Sequence, residues 1–590
     1  MNPVSNNKLA DLRRPSNEFP REFVPINIDL ADWDSIEPLY KDLHQRIIAT
    51  ANDLEEWLID QSELNSVLSE EGARRYVAMT CSTDDENIRK EYLHFLEKIE
   101  PQIKVWGNKL DHKLLKDSNL ASLDKDRYLV LIRDTRNSHE IFREENVPLE
   151  TEIAKLSQEY QSIQGAMTVE FQGKEQTMQQ MEVFQENQDR AIRKQAWEAS
   201  SGRRLPDAEK LDELFDKMTG LRHQVAQNAG FSCFTDYRFR ELGRFDYTSG
   251  DCLKFHDAVE KVVLPVYNRI LDERKTVLGL ETLRPWDLRV DIYNRPPLKP
   301  FSQSAELHSG CQRIFNQVDG QLGTEFSKMI ENGLLDLDSR KGKAPGGYQV
   351  GLQEVRLPFI FMNAVGLDRD IYTLLHEGGH AFHLFEAREE PLIHYRHGPM
   401  EFCEVASMSM ELIASNYLNE FYSAAENARS RKRHLEQLVS LFPMVAMIDA
   451  FQHWIYSHPF HTRKERTEQW LLLLKRFGGD IDYSGYENTQ NILWQRILHI
   501  FEVPFYFIEY GIAQMGALQV WRNSRSDLKK AIVDYRGGLA LGGSKPLPEL
   551  FGAANIKFDF SETTLRPLME EVKDELEILA SIEKSAVSKS

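Results

Sequence analysis

The sequence predicts a predominantly α-helical protein with one or two small β elements. Residues 39–156 form successive amphipathic patterns rich in Glu, Lys and Leu, as in PLYKDLHQRIIATANDLEEWLIDQ. Apolar residues recur there with the spacing of a helix face. The helical pattern resumes at ENQDRAIRKQAWEASSG and dominates the remainder of the chain. Two short segments interrupt it and favour strands instead.

The two interruptions and one loop define the expected organisation. MTVEFQGKEQTMQQM, residues 167–181, places Gly173-Lys174 between β-favouring residues and predicts a small hairpin. RKGKAPGGYQVGLQEVRLPFIFMNAVG, residues 340–366, predicts a loop and a strand just ahead of a further helix. A loop around Pro206 suggests a boundary near residue 200, give or take about ten residues. We therefore expect a helical N-terminal region with a hairpin (1–200) and a larger second region (201–590).

Charge and cysteine content limit the partners and the compartment. The net charge of −20, from 92 acidic and 72 basic residues, argues against nucleic acid or an anionic membrane as the main partner. The N-terminus is polar, which predicts no secretory signal, and no uninterrupted apolar run approaches the roughly 20 residues of a membrane span. The five cysteines are odd in number and far apart, so we expect a reduced, cytoplasmic compartment.

The segment DIYTLLHEGGHAFHLFEAREE carries the strongest chemical signal. Residues four apart share a helix face, so His376 and His380 present two imidazoles to one point, with Glu377 beside them. This H-E-x-x-H spacing is typical of two zinc ligands and a carboxylate that takes a proton from water. The alternative is a surface helix that carries the letters by chance. Gly378 and Gly379 each weaken the helix by roughly 0.8–1 kcal/mol relative to Ala, which requires a reason.

A catalytic zinc site needs a third protein ligand. His383 shares the face but lies roughly 10 Å along the axis from His376, too far for one ion; it is expected to be a substrate neighbour or a packed histidine. MEFCEVASMSMELIASNYL predicts a helix that would offer one carboxylate to the metal and a second to a ligand histidine. Spacing alone does not choose between Glu401 and Glu404. The complete set of candidates is His394, His397, Glu401, Glu404 and Glu411.

HEGGHAFH, followed 24 residues after His380 by the Glu404 of EFCEVASMSME, resembles the thimet oligopeptidase and oligoendopeptidase F family of zinc metallopeptidases. The segments RKGKAPGGY, LPFIFMN, PFYFIEYGIAQMGALQ and LGGSKPLPELF are similar to family segments in the same order, and they extend the resemblance over most of residues 205–565. The likeness is greatest to oligoendopeptidase F. It implies Glu404 as third ligand, Glu411 behind a ligand histidine, and one zinc ion per chain. It also implies a two-lobed helical zincin-type body with a deep central channel, whose substrates are oligopeptides.

The same resemblance implies roles for LHIFEVPFYFIEYGIAQ. Tyr510 is expected to donate to the oxyanion, Tyr506 to contact substrate and His499 to take part in catalysis. The spacing of His499 differs by about one residue between family branches. By pattern alone, these aromatic residues at helical spacing equally favour a packed core. Gly346, Gly347 and Tyr348 are expected in a mobile loop over the cleft. Nearby Lys341 and Lys343 are equally compatible with simple solvation. The edge of LPFIFMNAV is expected to pair with an extended peptide.

These observations predict a zinc endopeptidase that cleaves short peptides, with Glu377 as general base and then general acid. A carboxypeptidase or dipeptidyl carboxypeptidase on a related helical fold is the main alternative. A helical scaffold protein with a structural metal is a third, although structural sites usually close four protein ligands. We expect a monomer or a simple homo-oligomer. Gly379 is expected to allow close approach by a crossing helix or by substrate, whereas Gly378 could widen the pocket or loosen packing.

Overall fold

Helices account for most of the chain in the computed structural model, which describes residues 12, 14, 16–344 and 346–587. This confirms the predicted fold class. The helices of the N-terminal half are α1 Trp33–Gln45, α2 Ala51–Cys81, α3 Glu86–His94, α4 Glu100–Lys116, α5 Lys125–Ile141, α6 Val147–Gly165, α7 Met178–Phe184, α8 Arg190–Arg204, α9 Ala208–Asn228, α10 Phe234–Glu241, α11 Ser249–Ala258 and α12 Leu264–Val277. Those of the C-terminal half are α13 Ser304–Val318, α14 Gly320–Glu331, α15 Asp368–Ala387, α16 Met400–Ala414, α17 Ala424–Ser457, α18 Arg463–Phe477, α19 Glu487–Asn491, α20 Leu498–Glu502, α21 Phe507–Ser526, α22 Leu528–Leu539, α23 Leu547–Ala553 and α24 Glu562–Val587.

The predicted hairpin is present. Strands β1 (Thr168–Phe171) and β2 (Lys174–Thr177) pair antiparallel. Gln172 and Gly173 connect them with φ angles of 51° and 74°. Two consecutive left-handed residues give the turn twist that matches a two-stranded hairpin, which explains why a glycine occupies this position.

A second, three-stranded sheet precedes α15. Its strands are β3 (Leu335–Asp338), β4 (Tyr348–Leu352) and β5 (Leu357–Ala364), in the order β3-β5-β4. Strand β5 pairs parallel with β3 and antiparallel with β4. The expectation that LPFIFMNAV offers a free edge to a peptide is therefore wrong. This segment is the apolar central strand, and the edges of the sheet belong to β3 and β4.

The buried side chains form two main cores. The N-terminal core extends from Val24 to Leu131 and includes two residues from far along the chain, Leu392 and Tyr395. The larger core contains most buried apolar side chains of the remainder, including those of α15, α16 and α21. The domain division near residue 200 stays a prediction.

The segment between α15 and α16 is bonded to the N-terminal helices. The Tyr395 hydroxyl accepts from the backbone N–H of Leu131 at 3.2 Å and donates to the carbonyl of Arg127 at 2.8 Å. Ser62 Oγ accepts from the N–H of Ile393 at 2.6 Å and donates to the carbonyl of Pro391 at 2.9 Å. The connection between α15 and α16 is thus bonded to the N-terminal core, although the two helices themselves belong to the larger core.

Helix α17 is long and apolar enough to cross a membrane by length and composition, although its apolar residues are interrupted by polar ones. Of its most apolar 18-residue window, 72% is buried inside the protein. Burial against other helices of the same chain is typical of a core helix.

Candidate active site

The HEGGH sequence lies in α15, whose start is fixed by its own aspartates. The Asp370 carboxylate accepts from the backbone N–H groups of Val365 and Leu367 at 2.8 and 2.9 Å. These bonds satisfy N–H groups at the start of the helix. Asp368 accepts from the hydroxyls of Tyr422 and Ser430, which ties the same end of the helix to α17. The turns of α15 that carry the histidines therefore follow a helix start that these hydrogen bonds hold in place.

Gly379 permits the crossing of α15 and α16. A Cβ atom at this position would lie 2.5 Å from Cα of Ser407 and 2.6 Å from the carbonyl oxygen of Ala406. Both are backbone-defined positions that a small side-chain rotation cannot move. Of the two expected reasons for this glycine, the crossing helix is the one present.

Gly378 faces a side chain instead. A Cβ atom there would lie 2.7 Å from Cζ of Phe315, a fully buried residue of α13. The Phe315 ring fills the space that the missing side chain leaves. Gly378 therefore neither widens a pocket nor leaves a gap in the packing.

His376, His380 and Glu404 converge where α15 meets α16. Nε2 of His376 lies 3.4 Å from Oε2 of Glu404, and Nε2 of His380 lies 3.8 Å from the same oxygen. One ligand atom from each of the three residues lies within 4.8 Å of the others. Neighbouring ligands of a tetrahedral zinc ion are about 3.4 Å apart when metal–ligand bonds are near 2.1 Å. These three side chains could hold zinc with little adjustment and would leave a fourth position open.

Glu411 fixes one of the histidines from behind. Its Oε1 lies 2.6 Å from Nδ1 of His376, and its Oε2 lies 2.7 Å from Nε2 of His434 on α17. With Nδ1 of His376 occupied, Nε2 is the nitrogen that faces Glu404. Burial acts to raise the pKa of Glu411, but the hydrogen bonds from the two histidines outweigh it and lower that pKa to about 2.

His434 was not identified from the sequence. It lies in a long helix that also carries His453 and has no spacing relation to HEGGH. Its ring stacks on Tyr372 with centroids 4.2 Å apart. Only the three-dimensional contact with Glu411 assigns it to the site.

Glu377 lies beside the three converging side chains and is 8% exposed. Burial raises the pKa of Glu377 to about 7; the nearby charges of Glu404 and Glu411 act in the same direction and His376 opposes them. A carboxyl whose pKa lies near neutrality can both accept and return a proton at that pH.

The structure separates Glu404 from the other candidates that spacing left open. Glu401 accepts a hydrogen bond from the Tyr247 hydroxyl at 2.7 Å. His394 faces Asp134, with 3.3 Å between Nε2 and Oδ2. His397 lies 3.9 Å from Sγ of Cys403. Only Glu404 of the described candidates groups with His376 and His380.

His499, Tyr506 and Tyr510 form one cluster of rings. The His499 centroid lies 5.9 Å from Tyr506 and 6.0 Å from Tyr510, and the two tyrosine centroids are 5.3 Å apart. Burial raises the pKa of Tyr510 to about 12, and the charge of Glu404 contributes. The same two causes, with Tyr510 itself, raise the pKa of Tyr506. Both tyrosines are thus neutral hydroxyl donors close to Glu404.

His383 is packed rather than open. It is 4% exposed, its ring meets Phe402 edge-on at 5.9 Å, and its Cε1 would lie 3.0 Å from a Cβ placed on Gly398. Its Nε2 has no hydrogen-bond partner among the described residues. Of the two expectations for His383, a packed histidine agrees better with these contacts than a neighbour of substrate.

The loop ahead of β4 is attached on both sides. The Tyr348 hydroxyl lies 2.6 Å from Oγ1 of Thr80, and its ring stacks on Phe361 at 4.8 Å. Gly347 is exposed, and a Cβ added to it would lie 3.7 Å from Cγ2 of Thr373, one turn before His376. Gly347 therefore lies beside the N-terminal part of α15, while the Tyr348 side chain faces α2.

Lys343 and Lys341 differ in environment. The Lys343 side chain is fully buried and its ammonium pairs with Asp336 at 2.9 Å, so solvation is the wrong interpretation for it. It also donates to the carbonyl of Met362 at 2.6 Å, which holds the loop to β5. Lys341 is exposed.

Comparison with known proteins decides the family. The family model described as Peptidase family M3 matches residues 183–570, more than half of the sequence. The chain belongs to peptidase family M3. A second model, described as the Peptidase M3 N-terminal domain, matches residues 23–142 of this M3 peptidase. The resemblance seen in HEGGHAFH and the segments around it is confirmed, and the chain is a metallopeptidase.

Individual relatives of this M3 peptidase agree. An "Oligoendopeptidase F homolog" of Borreliella burgdorferi is 26% identical over 487 residues, which cover 78% of this chain and 77% of the relative. "Oligopeptidase PepF" of Bacillus subtilis is 24% identical over 54% of this chain and 47% of its own. The solved structure "PZ peptidase A with inhibitor 2" superposes with a TM-score of 0.85 at 28% identity and covers 94% of this chain and 99% of that one. The mostly helical, two-lobed peptidase fold is therefore shared along nearly the entire chain.

Proposed function

We propose that this M3 peptidase is a zinc-dependent endopeptidase that hydrolyses internal bonds of short oligopeptides. The observation that carries the proposal is the convergence of His376, His380 and Glu404 with the buried carboxyl of Glu377 beside them. Two imidazoles and one carboxylate with an open fourth position are the ligand set of catalytic rather than structural zinc. The similarity to an oligoendopeptidase F homolog supports an oligopeptide substrate.

The zinc ion, when bound, polarises the peptide carbonyl and increases the acidity of water. Glu377 takes a proton from the attacking water as the new C–O bond forms. It then gives that proton to the nitrogen of the departing amine as the C–N bond breaks, so the carboxylate is regenerated. Glu411 accepts a hydrogen bond from the Nδ1–H of His376, so the proton of this imidazole stays on Nδ1 and Nε2 is free to act as a ligand.

The aromatic cluster supplies neutral donors. We assign Tyr510, a half-buried side chain, to the negative oxygen that develops on the attacked carbonyl, where a fixed hydroxyl donor stabilises the transition state more than the substrate. Tyr506 contacts substrate, and His499 contacts both tyrosine rings and helps to orient them. Gly347 borders the peptide where the sheet meets the start of α15.

A mass-spectrometric cleavage map tests the proposal. Zinc-loaded protein is incubated with a pool of short and medium-length peptides and with an intact folded protein, beside the Glu377→Gln variant. Glu389→Gln, an exposed carboxylate just after α15, is the matched control. We expect internal cuts in the short peptides only, a loss of about 10²–10⁴-fold in Glu377→Gln, and wild-type activity in the control.

Other outcomes would contradict parts of the proposal. Removal of residues from one terminus only would replace the endopeptidase with a carboxypeptidase or dipeptidyl carboxypeptidase. Equal activity of Glu377→Gln and wild type would remove Glu377 from the chemistry. Absence of cleavage by zinc-loaded protein would overturn the proposal as a whole.

We also propose a cytoplasmic location and a monomer or simple homo-oligomer, with no nucleic-acid or membrane partner. The acidic charge supports the absence of nucleic-acid and membrane partners, and the odd number of cysteines, far apart in the sequence, supports the location. Fractionation and light scattering would test them directly.

A further inference from the structure

Arg244 is a buried cation between α10 and α11, with a side chain only 1% exposed. Its Nη2 donates to the carbonyl oxygen of Phe505 at 2.6 Å and to Oε1 of Glu509 at 2.7 Å. Its Nε lies 3.9 Å from Oε1 of Glu401. A buried charge of this kind is retained only where it is paired, so each contact restrains its partner.

Phe505 has a backbone conformation that requires support. Its φ angle of 67° lies in the left-handed region, which is unusual for a bulky residue. Side chains bond both of its backbone groups: Gln452 Oε1 accepts from its N–H at 3.1 Å, and Arg244 donates to its carbonyl. Its ring packs against His453 and Tyr456, with centroids 5.0 and 5.4 Å away. The strained turn is therefore held from three directions.

The groups that Arg244 contacts adjoin the proposed catalytic residues. Phe505 immediately precedes Tyr506, and Glu509 immediately precedes Tyr510. Glu401 lies one helical turn before Glu404 on α16. Arg244 thus contacts α16 and the start of α21, the two helices that carry the proposed third ligand and the proposed oxyanion donor.

We propose that Arg244 is a positioning residue: by holding the left-handed Phe505, Glu509 and Glu401 together, it directs the hydroxyls of Tyr506 and Tyr510 toward the His376–His380–Glu404 cluster. The inference rests on the proposed function and adds a residue that touches neither metal nor substrate. Its contribution reaches the reaction through Tyr510.

The charges of this cluster are compatible with a fixed arrangement. Burial, together with the negative charge of Glu401, raises the pKa of Glu509 to about 8 while Arg244 opposes the shift. The two carboxyl groups repel each other, and Arg244 offsets that repulsion. The Tyr247 hydroxyl bonds the oxygen of Glu401 that Arg244 approaches, which completes the contact with α16.

Arg244→Lys tests the inference because it keeps the charge but shortens the side chain. Nη2 donates both hydrogen bonds, to Phe505 and to Glu509, and a lysine ammonium ends about one bond short of that position. Arg466→Lys is the matched control, since the Arg466 side chain is also 1% exposed, pairs with Asp212 and Asp216, and packs on aromatic rings away from the site. Both variants are made in wild-type and Tyr510→Phe backgrounds.

We expect Arg244→Lys to lower kcat about 10–100-fold in the wild-type background, as for a displaced catalytic group, with unchanged zinc content. In the Tyr510→Phe background the same change should cost less than about threefold, because the group being positioned is already absent. Arg466→Lys should cost the same small factor in both backgrounds.

If Arg244→Lys does not fold, Gln452→Met replaces it, because it removes the other bond to Phe505 and leaves the charge pairs in place. The same background dependence is then expected.

Equal losses in both backgrounds, or losses that follow the folded fraction measured by circular dichroism, would overturn the inference. Failure of wild type to cleave peptides would overturn the proposed function and this inference together. Cleavage that depends on Glu377, with Arg244→Lys behaving like Arg466→Lys, would overturn the inference alone.

Discussion

At the scale of single residues, Glu411 lies behind His376, one of the three proposed metal ligands. It bonds one nitrogen of His376 and one of His434, so two histidines from different helices share its carboxylate. A neutral amide cannot accept from both nitrogens, because its NH₂ group would face one of them. Glu411 therefore orients His376 only as a carboxylate.

We expect Glu411→Gln to weaken zinc binding about 10–100-fold, which is the usual effect of removing a partner behind a ligand histidine. Competition with a chromogenic chelator measures the affinity. Glu420→Gln is the control, because Glu420 pairs with Arg313 away from the histidines. Unchanged affinity in Glu411→Gln would show that the His376 ring is held by packing alone.

The residue scale also shows which assignments a sequence can make. His376, Glu377 and His380 were identified because the geometry of one helix fixes their relation. The choice between Glu401 and Glu404 depended on family resemblance, since it requires the crossing angle of two helices. Arg244 and Phe505 gave no signal, because a pairing between elements more than 250 positions apart leaves no local pattern.

At the scale of elements, the crossing of α15 and α16 depends on Gly379. The two helices approach until the backbone of Ser407 and Ala406 occupies the space of a Cβ. Gly378 has the same helix cost but faces the Phe315 ring, which is a side chain and can shift. The two glycines are adjacent in sequence, but a larger residue would meet backbone atoms at Gly379 and a side chain at Gly378.

We expect Gly379→Ala to lower the free energy of unfolding by about 1–3 kcal/mol or more, because backbone must move. Gly378→Ala should cost less, since about 0.8–1 kcal/mol of helix propensity is regained and a ring can adjust. Urea unfolding of both variants measures the difference, and zinc affinity should fall only in Gly379→Ala. Equal destabilisation, or a larger loss for Gly378→Ala, would contradict this assignment.

The sequence predicts secondary-structure elements more accurately than it predicts which elements pair with one another. The helical regions, the hairpin and the strand before α15 follow from local periodicity and turn residues. The position of β5 within its sheet does not, because a strand of eight mostly apolar residues fits a central strand and an edge strand that packs on helices equally well. The order of strands depends on distant pairing that the alternation of residues does not encode.

At the scale of the whole molecule, bound zinc would join α15 to α16. A ligand that binds only the folded protein stabilises it by RT ln(1 + [L]/Kd), about 2.7 kcal/mol when the free ligand is at 100 times Kd. We therefore expect removal of zinc by a chelator to abolish peptide cleavage and to lower Tm, and added zinc to restore both.

Glu377→Gln separates these two effects. Glu377 is not a proposed ligand, so this variant should show the same zinc-dependent shift in Tm while remaining inactive. Differential scanning calorimetry with and without chelator measures it. A Tm that zinc does not move would mean that the three side chains bind no metal in the folded protein.

The segment between α15 and α16 has a consequence for the order in which the protein is made. Leu392 and Tyr395 belong to the N-terminal core, and Tyr395 bonds Leu131, 264 residues earlier. A ribosome releases the N-terminal helices long before it synthesises these two side chains. The N-terminal core therefore stays incomplete until the connection between α15 and α16 emerges. Closure of that core and alignment of His376, His380 and Glu404 are then expected in the same late stage.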